Sequence, residues 1–194
     1  MRSDFAASSG VVVVYMASLS SPFYGNCYTE WDSPALGDLI FMSTSTDGGK
    51  HWGAPKNTAD QAFGLGGQPL VQPNGTVVVP IDGFGAMISF RSTNGGQSWS
   101  STSMVGFQEF RGQDGGLRSP GLPSAAVDGA GKIYVVWPDC SFRAGCATDE
   151  RGPAGDSPAG QDAVELGQCS LATDQLARRG KRIGTPERLR YRRP

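Results

Sequence analysis

The chain has 194 residues, with 17 Lys and Arg against 18 Asp and Glu, so its formal net charge at pH 7 is −1. That length fits one ordinary domain, and the near-neutral charge excludes a general electrostatic attraction to nucleic acid or to an anionic membrane surface. No apolar run reaches the roughly 18 residues that a membrane-spanning helix needs, so no membrane span is predicted.

Short runs of β-branched and aromatic residues predict an all-β fold. The strongest runs each follow a glycine and are interpreted as second strands of repeated units; they lie at residues 10–15, 75–80 and 131–137. First strands are predicted at 68–71 and 123–127, across hairpin turns that contain Gly75 and Gly131. Third strands are predicted at 39–44 and 86–90.

An eight-residue motif follows each predicted third strand. It reads S-T-D-G-G-K-H-W at residues 45–52 and S-T-N-G-G-Q-S-W at residues 92–99. The Gly pair supplies the positive φ angles of a tight turn, the Asp or Asn caps that turn, and the Trp packs back over the hairpin. The predicted structural residues are Ser45, Asp47, Gly49, Trp52, Ser92, Asn94, Gly96 and Trp99. A repeat of roughly 40 to 50 residues built from short strands is typical of propeller blades.

The pattern S-x-[DN]-G-G-x-x-W resembles the Asp box, or bacterial neuraminidase repeat, of sialidases and other β-propellers. The resemblance implies four-stranded antiparallel blades, with each box on the turn between the third and fourth strands and away from the substrate. The predicted fold is an incomplete sialidase-like β-propeller over residues 1–146, with two blades at about 3–57 and 66–104 and part of a third at 122–146. Because a closed propeller needs at least four blades, we expect a fragment whose open edges make it marginally stable alone.

Residues 147–194 do not continue the pattern. They contain no Trp and no Phe, and they are rich in Gly, Ala, Pro and Arg. Two interpretations stay open, a disordered basic tail and an out-of-frame translation that starts near Cys146. The basic run at 188–193 lacks aromatic interleaving, so no nucleic-acid partner is predicted from it.

Blade topology indicates where a functional site would lie. In an up-and-down blade the boxes and the first-to-second turns share one end, so long loops gather at the other end. The predicted loops there include residues 19–37, 82–85, 105–121 and 138–146.

Candidate site residues are assigned by type within these loops, because the chain has no Arg-Ile-Pro segment to align with a sialidase. Asp32 or Asp82 is the candidate acid/base, and Tyr28 with Glu30 is the candidate nucleophile pair. Arg118 and Arg143 are candidate clamps for a substrate carboxylate. An aromatic beside a carboxylate suits a sugar face and its hydroxyls, so Trp31 and Asp139 are candidate substrate-binding residues.

Four cysteines bear on the compartment of the protein. Cys140 and Cys146 bracket a short loop and are the favoured disulfide, which predicts an extracellular or secreted parent. Residues 11–17 are too short for the core of a signal peptide, so no signal peptide is predicted in this chain. The single histidine, His51, lies inside a box, so no metal and no cofactor is predicted.

Two function classes remain open. The first is a secreted sialidase-type glycoside hydrolase, of which this chain is an inactive fragment. The second is a non-catalytic propeller module that binds carbohydrate, such as a sialoside, or a protein ligand. A full set of substrate-binding arginines in the parent would favour the enzyme.

Overall fold

The computed structural model describes residues 13–16, 19, 21–109, 121–140 and 170–172, with 13–16 and 170–172 described as backbone alone. Ten strands are defined in these ranges. They are β1 Val13–Met16, β2 Cys27–Ser33, β3 Leu39–Ser45, β4 Leu70–Val71, β5 Val77–Asp82, β6 Ala86–Ser92, β7 Ser103–Phe107, β8 Ser124–Val127, β9 Ile133–Val136 and β10 Ser170–Ala172. A short 3-10 helix, Pro34–Leu36, lies between β2 and β3.

The strands form three antiparallel sheets, so the all-β prediction is confirmed. Sheet one has the order β1-β2-β3, sheet two β4-β5-β6-β7 and sheet three β8-β9-β10. Each sheet is an up-and-down meander, because every pair of neighbouring strands is antiparallel and consecutive in order. The described residues do not form a closed ring of sheets.

Sheet two follows the predicted strands, whereas the prediction for the start of sheet one was wrong. The run that includes Val13–Met16 is the first strand of its sheet, and the second strand is Cys27–Ser33, which was expected to be a loop. This segment reads C-Y-T-E-W-D-S, and its two acidic residues are more typical of a loop than of a buried strand. Both faces of β2 are nevertheless covered, since five of its seven residues are buried and the other two, Trp31 and Ser33, are half-buried.

Sheet three contains a strand that its sequence did not predict. Ser170–Ala172 pairs with β9, where the third strand of the sheet belongs. The remaining predictions for the tail concern residues 147–169 and 173–194, which lie outside the described residues.

The first box is a turn built on two side chains. The Ser45 hydroxyl accepts a hydrogen bond from the Gly49 N–H at 2.9 Å. One Asp47 carboxylate oxygen accepts from the Lys50 and His51 N–H groups, at 3.0 and 2.9 Å. Gly48 and Gly49 have φ angles of 74° and 88°, which only glycine adopts without strain.

The second box repeats this geometry. Ser92 accepts from the Gly96 N–H at 2.9 Å, and Asn94 accepts from the Ser98 N–H at 3.1 Å. The neutral Asn94 amide thus accepts the same backbone hydrogen bond as the Asp47 carboxylate, so the box depends on acceptor geometry rather than on charge. The predicted capping roles and glycine conformations are confirmed in both boxes.

The three sheets share one register, which defines equivalent positions. In sheets one and two, the first residue of the second strand lies opposite the serine that begins the box, so Cys27 pairs with Ser45 and Val77 with Ser92. In sheet three, Ile133 pairs with Ala172 at the equivalent place. Glycines with positive φ precede these second strands at equivalent places, at Gly25, Gly75 and Gly131.

Side chains alternate between the two faces of each second strand. We call the side of a sheet toward the preceding sheet its rear face and the opposite side its front face. The rear face of sheet two packs on the front face of sheet one in a core that comprises Tyr28, Ile40, Met42, Ala62, Val77, Val79, Ile81, Phe90 and Trp99. The rear face of sheet three packs on the front of sheet two in a core that comprises Leu70, Met87, Ile133, Val135 and Trp137.

Polar contacts accompany these apolar cores. The Gln68 side-chain amide both donates to the Ala125 carbonyl at 2.7 Å and accepts from the Ala125 N–H at 2.8 Å. Two Thr102 groups, its N–H and its hydroxyl, donate to Asp60 at 2.8 and 2.7 Å. Apolar packing and hydrogen bonds therefore both contribute to holding adjacent sheets together.

Substitution of Trp99 by Ala is expected to lower the free energy of unfolding by about 3–5 kcal/mol, because it removes a buried aromatic from the core between sheets one and two. Phe107→Ala, at a side chain that is 76% exposed, is expected to change it by less than about 0.5 kcal/mol. Urea unfolding of both variants measures the difference. Equal losses would contradict the packing described for Trp99.

Candidate functional site

Three of the predicted site residues, Asp32, Asp82 and Asp139, lie at the end of the sheets opposite the boxes. The boxes and the β1–β2 and β4–β5 turns lie at one end, as the topology predicted; Gly48 N–H donates to the Gly25 carbonyl there. The β2–β3 and β5–β6 turns lie at the other end. We call this second end the open end.

Asp32 and Asp82 occupy equivalent positions at the open end. Each is the fifth residue after the one that faces the box serine, Cys27 in sheet one and Val77 in sheet two. Both side chains are buried, at 5% and 7% exposure. The sequence predicted the proximity of each to a turn, but both lie on strands rather than in loops.

The Asp82 carboxyl lies in an environment that shifts its pKa upward. Burial raises its pKa, and a 2.9 Å hydrogen bond from the Phe84 N–H opposes that shift. The backbone on either side of Asp82 is fixed by reciprocal hydrogen bonds with Leu65, at 2.9 and 3.0 Å. A buried carboxyl on a rigid strand end, with a raised pKa, is the usual environment of a general acid.

Glu30 lies deeper on the same strand as Asp32 and is almost fully buried. Loss of solvent, together with the nearby Asp32 charge, raises its pKa to about 8, although a hydrogen bond from the Gly67 backbone opposes the shift. Its Oε1 atom has no hydrogen-bond partner. At neutral pH Glu30 is therefore a neutral acid within the packed interior.

Gly67 makes room for this carboxyl, and the sequence analysis did not identify it. A Cβ at position 67 would overlap the Glu30 carboxyl group. The signal was the Gly66-Gly67 pair immediately before a strand, since glycine at such a place often marks a close approach.

Tyr28 lies in the core between sheets one and two, with no exposed surface. Its ring packs edge-on against Trp99, at 6.3 Å between centroids, and its hydroxyl accepts a 3.4 Å hydrogen bond from Asn26. Burial raises its pKa, which disfavours the phenolate that a nucleophile requires. Tyr28 and Glu30 lie on one face of β2, but neither presents its reactive atom to solvent.

Trp31 and Asp139 are the predicted sugar-binding residues. Trp31 is half-buried on the rear face of sheet one, stacked on Phe41 at 5.7 Å. Asp139 lies at the open end of sheet three, where it accepts a 3.4 Å hydrogen bond from the Trp137 indole. The two residues therefore lie on different sheets, and Trp31 is on the opposite face of β2 from Asp32.

Cys140 is disulfide-bonded, and Cys27 is a buried free thiol. The predicted partner of Cys140, Cys146, lies outside the described residues, as do Arg118 and Arg143. The Cys140 N–H donates to the Glu109 carbonyl at 2.8 Å, which ties the end of sheet three to the chain that leaves sheet two.

Exposed apolar side chains also gather at the open end. Leu36 and Phe84 lie on the equivalent β2–β3 and β5–β6 turns, and Phe63 and Phe107 pair with the first residues of β3 and β6. Their exposed fractions are 55%, 56%, 48% and 76%, in the order Leu36, Phe84, Phe63, Phe107. Apolar surface beside buried carboxyls is suited to a ligand with both apolar and hydroxyl groups.

The described ranges hold no group of three His, Cys, Asp or Glu side chains placed to bind a metal ion. Within the same ranges, no helix has the length and apolar character to cross a membrane. No protein-family model matches the chain, and no curated protein matches it.

The buried Glu30 carboxyl makes stability depend on pH. Between about pH 4.5, its ordinary pKa, and about 8, its pKa in the fold, the folded chain keeps a proton that the unfolded chain has released. The free energy of unfolding is therefore expected to fall as pH rises, by about 1.4 kcal/mol per pH unit from this group. Glu30→Gln removes that contribution. The stability of the variant relative to the wild type is therefore expected to increase as the pH rises to about 8 and to stay constant above pH 8.

Urea unfolding at several pH values between 5 and 9 tests this expectation. Glu109→Gln, at an exposed carboxyl, provides the matched control. Parallel pH profiles for Glu30→Gln and the wild type would rule out a neutral Glu30.

Proposed function

We propose that the chain is part of a sialidase-like, Asp-box β-propeller glycoside hydrolase, that its three sheets are blades, and that carbohydrate binds at the open end. The observation that carries the proposal is the equivalent placement of Asp32 and Asp82 at the ends of two neighbouring second strands. Most glycosidases work with a pair of carboxyl groups about 5–10 Å apart, whereas sialidases use a tyrosine as nucleophile beside a carboxyl acid. Successive blades are a rigid way to hold such groups.

Within this proposal Asp82 is the acid/base. Burial raises its pKa in the direction that a general acid needs, and its position next to the β5–β6 turn places it nearer the open end than Glu30. Tyr28 and Glu30 act as packing and positioning residues, since both are buried between sheets. Arg118 and Arg143 remain the predicted clamps for the sialoside carboxylate.

The three sheets of the described ranges do not close a ring, so the chain alone is expected to bind carbohydrate weakly and not to hydrolyse it. The disulfide bond at Cys140 supports an oxidising, extracellular location. It also lies at the open end, where it restrains the chain next to Asp139.

Binding of sialyllactose tests the proposed site, with lactose as the desialylated comparison. In an NMR titration of the isotope-labelled chain, we expect shifts confined to the open end, and Asp82→Asn is expected to weaken binding about 5–10-fold through one lost or altered hydrogen bond. Asp128→Asn, in the β8–β9 turn at the box end, is the matched control. Shifts at the box end, or equal effects of the two variants, would refute the site.

A non-catalytic binding module is the second candidate, favoured by the exposed apolar side chains of the open end. It predicts that Phe84→Ala weakens binding of a protein or carbohydrate ligand whereas Asp82→Asn does not. The enzyme proposal predicts the reverse order of effects, so the same titration separates the two.

Peptide mapping under non-reducing conditions is expected to recover Cys140 linked to Cys146, with Cys27 alkylated only after unfolding because its thiol is buried. Linkage of Cys140 to Cys169 would instead join sheet three to the tail beside β10. A reduced Cys140 in protein purified from an oxidising compartment would contradict the proposed location.

A further inference from the structure

The chain that links sheet one to sheet two crosses the open end as a strap, residues 63–67, with the sequence F-G-L-G-G. Phe63 pairs with Leu39 of sheet one. The Leu65 backbone exchanges hydrogen bonds with Asp82 of sheet two, at 2.9 and 3.0 Å. The strap is therefore bonded to both of the sheets that carry the buried aspartates.

Two glycines bring the strap against its neighbours without a gap. A Cβ at Gly64 would lie 2.5 Å from the Asp82 carbonyl oxygen, and a Cβ at Gly67 would lie 2.6 Å from Oε2 of Glu30. Neither position has room for a side chain, so the backbone itself makes the contact.

The Glu30 carboxyl is the polar group beneath this part of the strap. Glu30 is 1% exposed, the Gly67 N–H donates to its carboxyl, and Oε1 has no hydrogen-bond partner. A buried carboxylate is stable when two or three N–H groups donate to it. With a single backbone donor, this position accommodates the protonated acid and disfavours the anion.

The titratable groups around Glu30 favour the same state. Tyr28 and Asp32 flank it on the same face of β2, and Asp82 lies on the other side of the strap. The Asp32 charge opposes ionisation of Glu30, and no basic group of the described ranges acts on its pKa. Burial raises the pKa of Tyr28, so the phenol adds no charge at neutral pH.

We propose that Glu30 is a proton-controlled latch, whose protonated carboxyl keeps the strap in place and whose deprotonation releases the strap together with the Asp82 end of sheet two. The anion can be solvated only when Gly67 moves away, because the Gly67 backbone covers the carboxyl. The proton passes to water, and no other covalent bond changes. For its effect on ligands the inference rests on the proposed function of the open end, to which it adds regulation by pH.

Proton linkage determines the pH range of the latch. The pKa of Glu30 is about 8 beneath the strap, against an ordinary value of 4.5 once the carboxyl meets water. The closed strap therefore keeps a proton that the open strap releases. Opening is expected to become about tenfold more favourable for each pH unit between about pH 5 and 8, and to change no further above that range.

Amide hydrogen exchange of the full chain, followed by NMR between about pH 5 and 9, tests the latch. After correction for the intrinsic pH dependence of exchange, the protection of the Gly64 and Leu65 amides is expected to fall about tenfold per pH unit up to about pH 8 and then to level off. Low urea concentrations are expected to leave these rates unchanged, because a local opening exposes little surface. The amide of Val79, in the core, is expected to exchange faster in urea.

Three variants assign the effect to Glu30. Glu30→Gln cannot ionise and is expected to remove the pH dependence of strap protection. Asp38→Asn is the matched control, at a residue whose backbone carbonyl accepts the Gly64 N–H at 3.0 Å, and it is expected to retain that dependence. Gly67→Ala places a Cβ against the Glu30 carboxyl, so it is expected to lower strap protection at least about tenfold already at pH 6.

The results that would overturn the latch are specific. Strap protection that is independent of pH in the wild type, or that has the same pH dependence in Glu30→Gln, excludes control by Glu30. Strap exchange that accelerates in urea as much as that of Val79 indicates global unfolding in place of a local opening, and it also excludes the latch. Wild-type protection equal to that of Gly67→Ala at pH 6 excludes a closed strap at that pH.

The same chain then links the latch to ligand binding. Sialyllactose is expected to bind at least about tenfold more weakly at pH 9 than at pH 6, and Glu30→Gln is expected to remove that difference. The exchange measurements contain no carbohydrate. A strap that follows the predicted pH profile in a chain that does not bind sialyllactose supports the latch and refutes the proposed function alone.

Discussion

The contact between Trp99 and Tyr28 joins the box turn to the packing of one sheet on the next. The Ser92 and Asn94 hydrogen bonds fix the turn, and the fixed turn sends Trp99 back toward the preceding sheet. Because the indole reaches across to Tyr28, a local turn motif determines the distance and the height at which two sheets meet. The front face of β2 and the rear face of β5 are buried in this way.

Burial on both faces of β2 is one reason that this strand was not predicted from the sequence. Sheet two was predictable, since Val77–Asp82 is a β-branched run after a glycine turn and Ala86–Ser92 leads into a box. β2 was not, because Glu30 and Asp32 stand on its front face, where alternation would place apolar residues. The pairing of Ser170–Ala172 with β9 was equally inaccessible, since it follows from the register of a distant strand rather than from local pattern.

The candidate site was predictable in its location but not in its chemistry. The sequence placed Asp32 and Asp82 at the end opposite the boxes, because turns at fixed intervals determine which strand ends lie together. It could not show that Tyr28 is a core residue or that Glu30 holds its proton. Those properties depend on Trp99 and Gly67, which lie far from both in sequence and contact them only after the sheets have stacked.

The two ends of the sheets differ in what they demand of a side chain. At the box end, Ser45 and Ser92 must accept the same backbone hydrogen bonds, so the residues there repeat from sheet to sheet. At the open end, buried Asp32 and Asp82 repeat at equivalent strand positions, and Asp82 also accepts a hydrogen bond from the Phe84 N–H of the turn. A buried carboxyl lowers stability unless its environment compensates for lost solvation, and at Glu30 one oxygen atom has no hydrogen-bond partner. The repetition of buried acidic side chains at this end, where the loss of solvation lowers stability, is the physical reason for proposing that binding and chemistry take place at the open end.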